Sequence, residues 1–452
     1  MTQTSLPLIY VAEQAQPIAY WQERWINRQQ FLQHVVALAN CLPDRQYPIN
    51  LCHDRYHFMV AFAATIVRCQ VNLLPSNQTA GEIHKLADEY ADSYVLTDQS
   101  PHHSSITTFL FDVAVLETID ADVELPYVLS EQLVAMVFTS GSTGQARANR
   151  KYWGSLNTGT ELLAERFGFH KNTSRSIAAT VVPQHMFGLE TSILLPMLTN
   201  TYVHAEKPFY PADISKVLSE LMPSAVLVTT PVHLKACVNT EIEWPDFDYV
   251  LSATAPLSDD LARSVLRQMG VEVREIFGCT EAGSFASRMT LKDDVWKLYD
   301  TFSLLNKDGL TVLQAPHLTE QVVLSDVIEK QDEGSFRVLG RNADMLKIAG
   351  KRVSLADLNY KLNSIENVQD GVFFVPEEMP GHEDKVTRLC AFVVARDSSE
   401  AEVLAKLSEV IDSVFLPRPL IKVDQLPYNN IGKLPRMALE DLYSQYHSRK
   451  LQ

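Results

Sequence analysis

Helical and strand periodicity alternate through residues 31–97, and this alternation limits the fold more than any other feature of the chain. Phe31, Leu32, Val35, Val36, Leu38 and Ala39 recur at helical spacing, Ile49–Cys52 reads as a short apolar strand, and His57–Arg68 is helical again. Val71–Leu74, closed by Pro75, reads as the next strand, Ala80–Tyr90 as a helix and Ser93–Thr97 as a strand. Strands and helices in this order are what parallel βαβ units require, so the expected class is α/β with open sheets. Such sheets bind ligands beyond the carboxyl ends of their strands. Chemistry is therefore expected in loops that directly follow apolar runs.

Size and charge narrow the function. A chain of 452 residues, 46% apolar and 21% charged, is a folded protein of two or three domains. Its 55 acidic and 39 basic residues give a formal charge of −16, which repels a phosphate backbone, so nucleic acid is not expected as a partner. Cys41, Cys52, Cys69, Cys237, Cys279 and Cys390 contain no CxxC pair and read as reduced thiols. Met1–Trp21 has no basic flank before an apolar core, and Phe58–Val67 is too short to span a bilayer. The expectation is a cytoplasmic protein without a membrane segment.

The most informative loop follows the apolar run Leu133–Phe138. It reads Thr139-Ser140-Gly141-Ser142-Thr143-Gly144-Gln145-Ala146-Arg147. In a chain with only 17 glycines, two of them three apart among four hydroxyl residues point to backbone that closely approaches phosphate oxygens. A Walker A loop is excluded, because Gln145 and Ala146 stand where Lys and Ser or Thr are required. The segment resembles the phosphate-loop signature TSGSTGxPKG of the adenylate-forming superfamily of acyl- and aryl-CoA ligases, peptide-synthetase adenylation domains and luciferases. Thr139 to Gly144 are kept, while Ala146, Arg147 and Ala148 replace its Pro, Lys and last Gly.

Further segments follow the superfamily's order. Phe277-Gly278-Cys279-Thr280-Glu281 is similar to its aromatic-Gly-x-Thr-Glu motif. The resemblance implies that Phe277 stacks on adenine, Thr280 touches the α-phosphate and Glu281 helps hold Mg²⁺, a hard cation that favours carboxylate oxygen. Ser252-Ala253-Thr254-Ala255-Pro256-Leu257 resembles the adenine-contacting S-G-A-A-P-L, which brings in Ala253 and Thr254. Pro183-Gln184-His185-Met186-Phe187-Gly188 resembles the segment whose His or aromatic residue gates the carboxylate pocket.

Downstream, Val322–Asp326 resembles the strand ending in T-G-D, making Asp326 the implied ribose ligand, and Leu339–Gly350 follows GRxxDxxKxxG, with Arg341 directed to ribose or phosphate. Lys433 in Pro427–Arg436 matches the mobile lysine that bridges substrate carboxylate and α-phosphate. Lys347, Gly350 and Lys351 fall where the superfamily shapes its pantetheine tunnel.

The resemblance implies a large α/β domain over residues 1–342 and a small mobile α+β lid over 343–452, with Ala343 at the hinge. In the lid, Val372–Val375 and Leu389–Ala395 read as strands and Glu400–Phe415 as a helix with Val403, Leu404, Leu407, Val410 and Ile411 on one face. The implied reaction joins a carboxylate and MgATP into an acyl-adenylate with release of pyrophosphate. The acyl group then passes to the thiol of CoA or of a separate acyl carrier protein. Arg147, Arg150 and Lys151 are expected as a basic patch for CoA phosphates or an acidic carrier. Phe187, Cys279, Ala282 and Gly283 are expected to border the acid pocket and favour an aryl or short unsaturated acid. The alternatives are a medium-chain fatty acid, or a nucleotide-binding regulator without catalysis.

Overall fold

The computed structural model describes the chain apart from residues 1–3, 11–15, 101–104, 118–122, 141–145, 170–173, 223, 308–309, 342–344, 349–350, 377–388, 430–433 and 451–452. The expected alternation is present. Helix Arg28–Cys41 starts at Asn27, whose side chain accepts from the Gln30 N–H while Gln30 bonds back to the Asn27 N–H. Phe31, Leu32, Val35, Leu38 and Ala39 are buried on it, and Val36 lies at the margin.

Helix Arg55–Val67 is capped by Asp54 and apolar on all sides. A helix of that kind cannot sit on a surface. It packs on strands Tyr47–Asn50 and Asn72–Leu74 of one sheet. On its other side Arg55 donates to Ala179 O at 2.7 Å, Val181 O at 3.0 Å and Ser192 Oγ at 2.5 Å in the neighbouring subdomain.

The first sheet runs in the order Ala146–Tyr152, Leu133–Ser140, Asn72–Leu74, Tyr47–Asn50, Ser93–Thr97, Thr108–Leu110. It is parallel except for its edge hairpin, Leu133–Ser140 with Ala146–Tyr152. A larger sheet holds six consecutive parallel strands: Pro17–Trp21, Thr201–His204, Arg175–Ala179, Ala225–Thr229, Tyr249–Ser252 and Glu272–Cys279. Its antiparallel continuation includes Gly283–Met289 and the pair Asp326–Lys330 with Ser335–Arg341. The carboxyl ends of the parallel strands share one edge, with Thr229 beside Ser252 and Ser252 beside Glu275.

Beyond Arg341 a smaller unit follows, with its own core around Leu358, Leu362, Phe373, Ala391, Val393 and Leu407. Its sheet is ordered Asp370–Phe374, Cys390–Val394, Leu420–Lys422. The expected helix Glu400–Phe415 is shorter: it runs Glu400–Val410, and a separate short turn covers Ser413–Phe415. Asp412 ends the longer pattern by accepting from the Val414 N–H, and Val410, the last helical residue, is left 51% exposed while Val403 and Leu407 are buried. The expected border at 342/343 and Ala343 lie outside the described residues.

Candidate active site

Several of the singled-out segments fall at the shared carboxyl edge of the large sheet. Strand Tyr249–Ser252 ends in buried Ala253 and then Thr254, whose φ of 79° is left-handed. For a β-branched residue this conformation costs about 1–3 kcal/mol, strain that persists where the surroundings enforce a particular loop shape.

The adjoining strand Glu272–Cys279 breaks register at Phe277/Gly278 and turns through Thr280 and Glu281 into Gly283–Met289. A Cβ on Gly278 would lie 2.5 Å from Gly283 O, so the turn closes only around glycine. Phe277 is half-buried among Phe285, Trp296 and Phe336, with ring centroids 5.4, 5.1 and 5.7 Å away.

The hairpin of the first sheet meets this turn directly. Thr139 pairs with Arg147 and Ser140 with Ala146 at its tip, while Gly141, Ser142, Thr143 and Gly144 lie outside the described residues. From the same strand Lys151 crosses to the second sheet, where its ammonium donates to Thr280 O and, at 2.9 Å, to Glu281 O. Burial lowers the Lys151 pKa, and the nearby acidic groups, Glu190 first, oppose that shift. Lys151 is therefore not part of a surface patch with Arg147 and Arg150. Those two are exposed, and Lys151 is a buried tie between the hairpin and the Thr280–Glu281 turn.

His185 occupies the N-cap of a helix that begins at Met186. Half-buried Phe187 on that helix packs on the same core as Phe277, Cys279 and Ala282. Burial, followed by the Glu281 charge, pushes the Cys279 thiol up to about 12, so it is a small apolar group rather than a nucleophile. Asp326 stands opposite Arg341 in the antiparallel pair, which brings the two sequence candidates for ribose and phosphate together. The side chain of Arg341, that of Lys347, Gly350 and all of Lys433 lie outside the described residues.

One buried acid beside these segments was missed by sequence reasoning. Glu190 is 5% exposed, and its carboxylate oxygens lie 3.1 and 3.2 Å from the Ser284 nitrogen. It sits against Gly283, where a Cβ would come within 2.4 Å of Oε1. Burial raises its pKa to about 7 despite the Ser284 hydrogen bonds and the Lys151 charge. The available signal was a single acid inside the otherwise uncharged run Met186–Leu198.

Among the described residues no cluster of three or more His, Cys, Asp or Glu side chains could hold a metal by itself. Two clefts, of about 440 and 280 Å³, lie elsewhere, beside Arg396–Asp424 and beside Arg274–Lys297. No described helix is long and apolar enough to cross a membrane.

The chain is 28% identical to a 4-coumarate–CoA ligase of Halorhodospira halophila over 312 residues, 66% of this chain and 73% of the relative. Its fold matches ATP-bound MatB of Rhodopseudomonas palustris with a TM-score of 0.83 at 17% identity, covering 97% of both chains. It likewise matches the O-succinylbenzoate CoA synthetase MenE of Bacillus subtilis in complex with ATP and magnesium, with a TM-score of 0.80 at 17% identity over 97% of this chain and 100% of that one. The AMP-binding enzyme family matches residues 10–305. The chain thus belongs to the AMP-binding enzymes and is an adenylate-forming acid–thiol ligase built as a large domain followed by a small one.

Proposed function

We propose that this ligase activates an aryl or short unsaturated carboxylic acid with ATP and transfers it to the thiol of CoA or of a separate acyl carrier protein. The observation that carries the reading is the meeting of the hairpin and the sheet edge. Lys151 joins the strand after the Ser/Gly loop to the Thr280–Glu281 turn, which the paired residues Cys279 and Gly283 flank. A 4-coumarate–CoA ligase among the relatives supports an aryl acid.

In this reading Thr139–Gly144 and Arg147 receive the phosphates. Ala253, Thr254, Phe277 and Gly278 hold adenine, and Asp326 with Arg341 holds the ribose. A substrate carboxylate oxygen attacks the α-phosphorus, the bond from phosphorus to the bridging oxygen breaks, and pyrophosphate leaves. His185 borders the carboxylate, Thr280 the α-phosphate, and Lys433 offsets the negative charge that would keep two anions apart.

Glu281 fits a magnesium ion shared with phosphate oxygens, since one or two protein carboxylates with substrate phosphates are its usual ligands. When bound, magnesium supplies charge neutralisation on the phosphates. In the second half-reaction a thiolate sulfur attacks the acyl carbon, the bond to the AMP oxygen breaks and AMP leaves. Residues 1–342 form the activating domain and 343–452 the lid, turning near Ala343.

The test is incubation with 4-hydroxycinnamate, ATP and Mg²⁺, with CoA in one arm and a phosphopantetheinylated carrier in the other, followed by mass spectrometry. Thioester with either thiol, accompanied by AMP, is expected. ATP turnover to ADP, or no product with aryl and short unsaturated acids alike, contradicts the reading.

A further inference from the structure

The cleft of about 280 Å³ lies at the far end of the large sheet from the candidate active site. Strand Glu272–Cys279 leads from Arg274 in the cleft to Cys279 beside the Thr280–Glu281 turn, a run of about 16 Å at strand spacing. Strand Gly283–Met289 returns from that turn and brings Ser287, Arg288 and Met289 to the cleft. Helix Trp153–Phe167 adds Arg166 and Phe167 from its last turn, and Asp293 and Lys297 complete the lining.

Four cations and one acid thus line a cleft in a chain whose formal charge is −16. Two of the four are matched. Lys297 lies 2.6 Å from Asp293, and Arg288 donates to Glu275 at 2.6 Å. Among the described residues no carboxylate pairs with Arg166 or Arg274, and the neighbouring Asp248 is taken by Arg175. Arg166 donates to Leu298 O and lies 5.3 Å from the Tyr299 ring centroid, while Arg274 lies 3.9 Å from that of Tyr249. Ring faces steady a guanidinium without offering it an oxygen. The buried Nε of Arg274 has no hydrogen-bond partner among the described residues.

Both arginines are half-buried, where an unmatched charge costs more than it does at a surface. The carbonyl end of helix Trp153–Phe167 offers Arg166 about half a negative charge, which leaves about one and a half positive charges in the cleft. A phosphate monoester carries about −1.5 to −2 at pH 7, and its oxygens match the planar fork of a guanidinium. Phe167 and Met289 on the wall give the cleft an apolar side for an organic body, which a bare ion would not use.

We propose that Arg166 and Arg274 bind the phosphoryl group of a small phosphate ester in this cleft, as a ligand site separate from that of the nucleotide. The site takes no part in bond changes and stands whichever acid the chain activates. Removing both guanidiniums takes away charge-assisted hydrogen bonds and should weaken binding by at least about 30-fold.

The experiment is calorimetric titration of the full chain, holding MgATP without acid, with glycerol 3-phosphate, inorganic phosphate and glycerol. Thermal melting in each, against chloride at equal ionic strength, gives a second reading. Glycerol 3-phosphate should bind in one saturable event and raise the melting temperature, and glycerol should do neither. In Arg166→Gln/Arg274→Gln that event should weaken by at least about 30-fold while ATP affinity stays within about twofold of wild type. Inorganic phosphate should bind at least tenfold more weakly than the ester, and equal or tighter binding would overturn the ester assignment in favour of free phosphate. Should the double variant fail to fold, Arg274→Lys keeps the charge, loses the fork and should weaken binding at least about threefold. No saturable binding by either phosphate, or binding unchanged in a folded variant, overturns the site.

Discussion

A buried acid and a buried base near the candidate site make opposite demands on their residues. Glu190 has a folded pKa of about 7 against an ordinary 4.5. A raised carboxyl contributes its full stability below the unfolded value and loses it as pH climbs through the folded one. Wild-type stability should therefore fall, relative to Glu190→Gln, by about 3 kcal/mol between pH 4.5 and 7, and the difference should stay level above that. Lys151, Cys279, Glu281 and Tyr299 are the charged or titratable groups that share this environment. Urea unfolding of both proteins across that range checks the slope, and parallel curves would refute it.

Lys151 acts through backbone. Its ammonium fixes the carbonyls of Thr280 and Glu281 and so the direction of their side chains. Lys151→Met should lower kcat for pyrophosphate exchange by about a hundredfold, the scale of an ångström's misplacement, with a smaller change in the KM for the acid. An unchanged kcat would show that the turn holds its shape without the tie.

At the scale of elements, the site depends on how the two large sheets are joined. Arg55, on the helix between them, satisfies two carbonyls and a hydroxyl of the subdomain that presents Pro183–Phe187. Arg55→Met leaves these acceptors in a dry interior and should cost about 3 kcal/mol or more in urea unfolding at pH 7. A loss below about 1 kcal/mol would mean that water replaces the guanidinium.

The elements themselves were largely legible. Strand Ser93–Thr97 has the bounds its pattern implies, and helix Arg28–Cys41 buries the residues its period marks. Positions within a strand or helix were less so. Arg150 and Lys151 look alike as sequence, yet adjacent strand residues face opposite ways, and one is exposed while the other is buried. Glu190 was hidden because nearly every residue of Met186–Leu198 is buried, so no periodicity separates one face of that helix from another. Val410 continues the apolar spacing of its helix but is its last residue, and the core contact passes to Ile411, buried just beyond it.

For the whole molecule, the large and small units touch through an ion pair. Lys235, on helix Pro231–Val238, lies 3.2 Å from Asp370, on strand Asp370–Phe374. Both side chains are partly exposed, so the pair has little hold on global stability. Lys235→Ala should leave the unfolding free energy within about 1 kcal/mol of wild type, and a larger loss would make this contact a structural anchor.

The central claim is carboxylate activation by adenylation, and carboxylate-dependent exchange of labelled pyrophosphate into ATP tests it without knowledge of the thiol. With Mg²⁺ and a panel of benzoates, cinnamates and fatty acids, exchange is expected for an aryl or short unsaturated acid and is expected to be lost in Lys433→Ala. Silence across the whole panel from a folded protein that binds ATP would contradict the account.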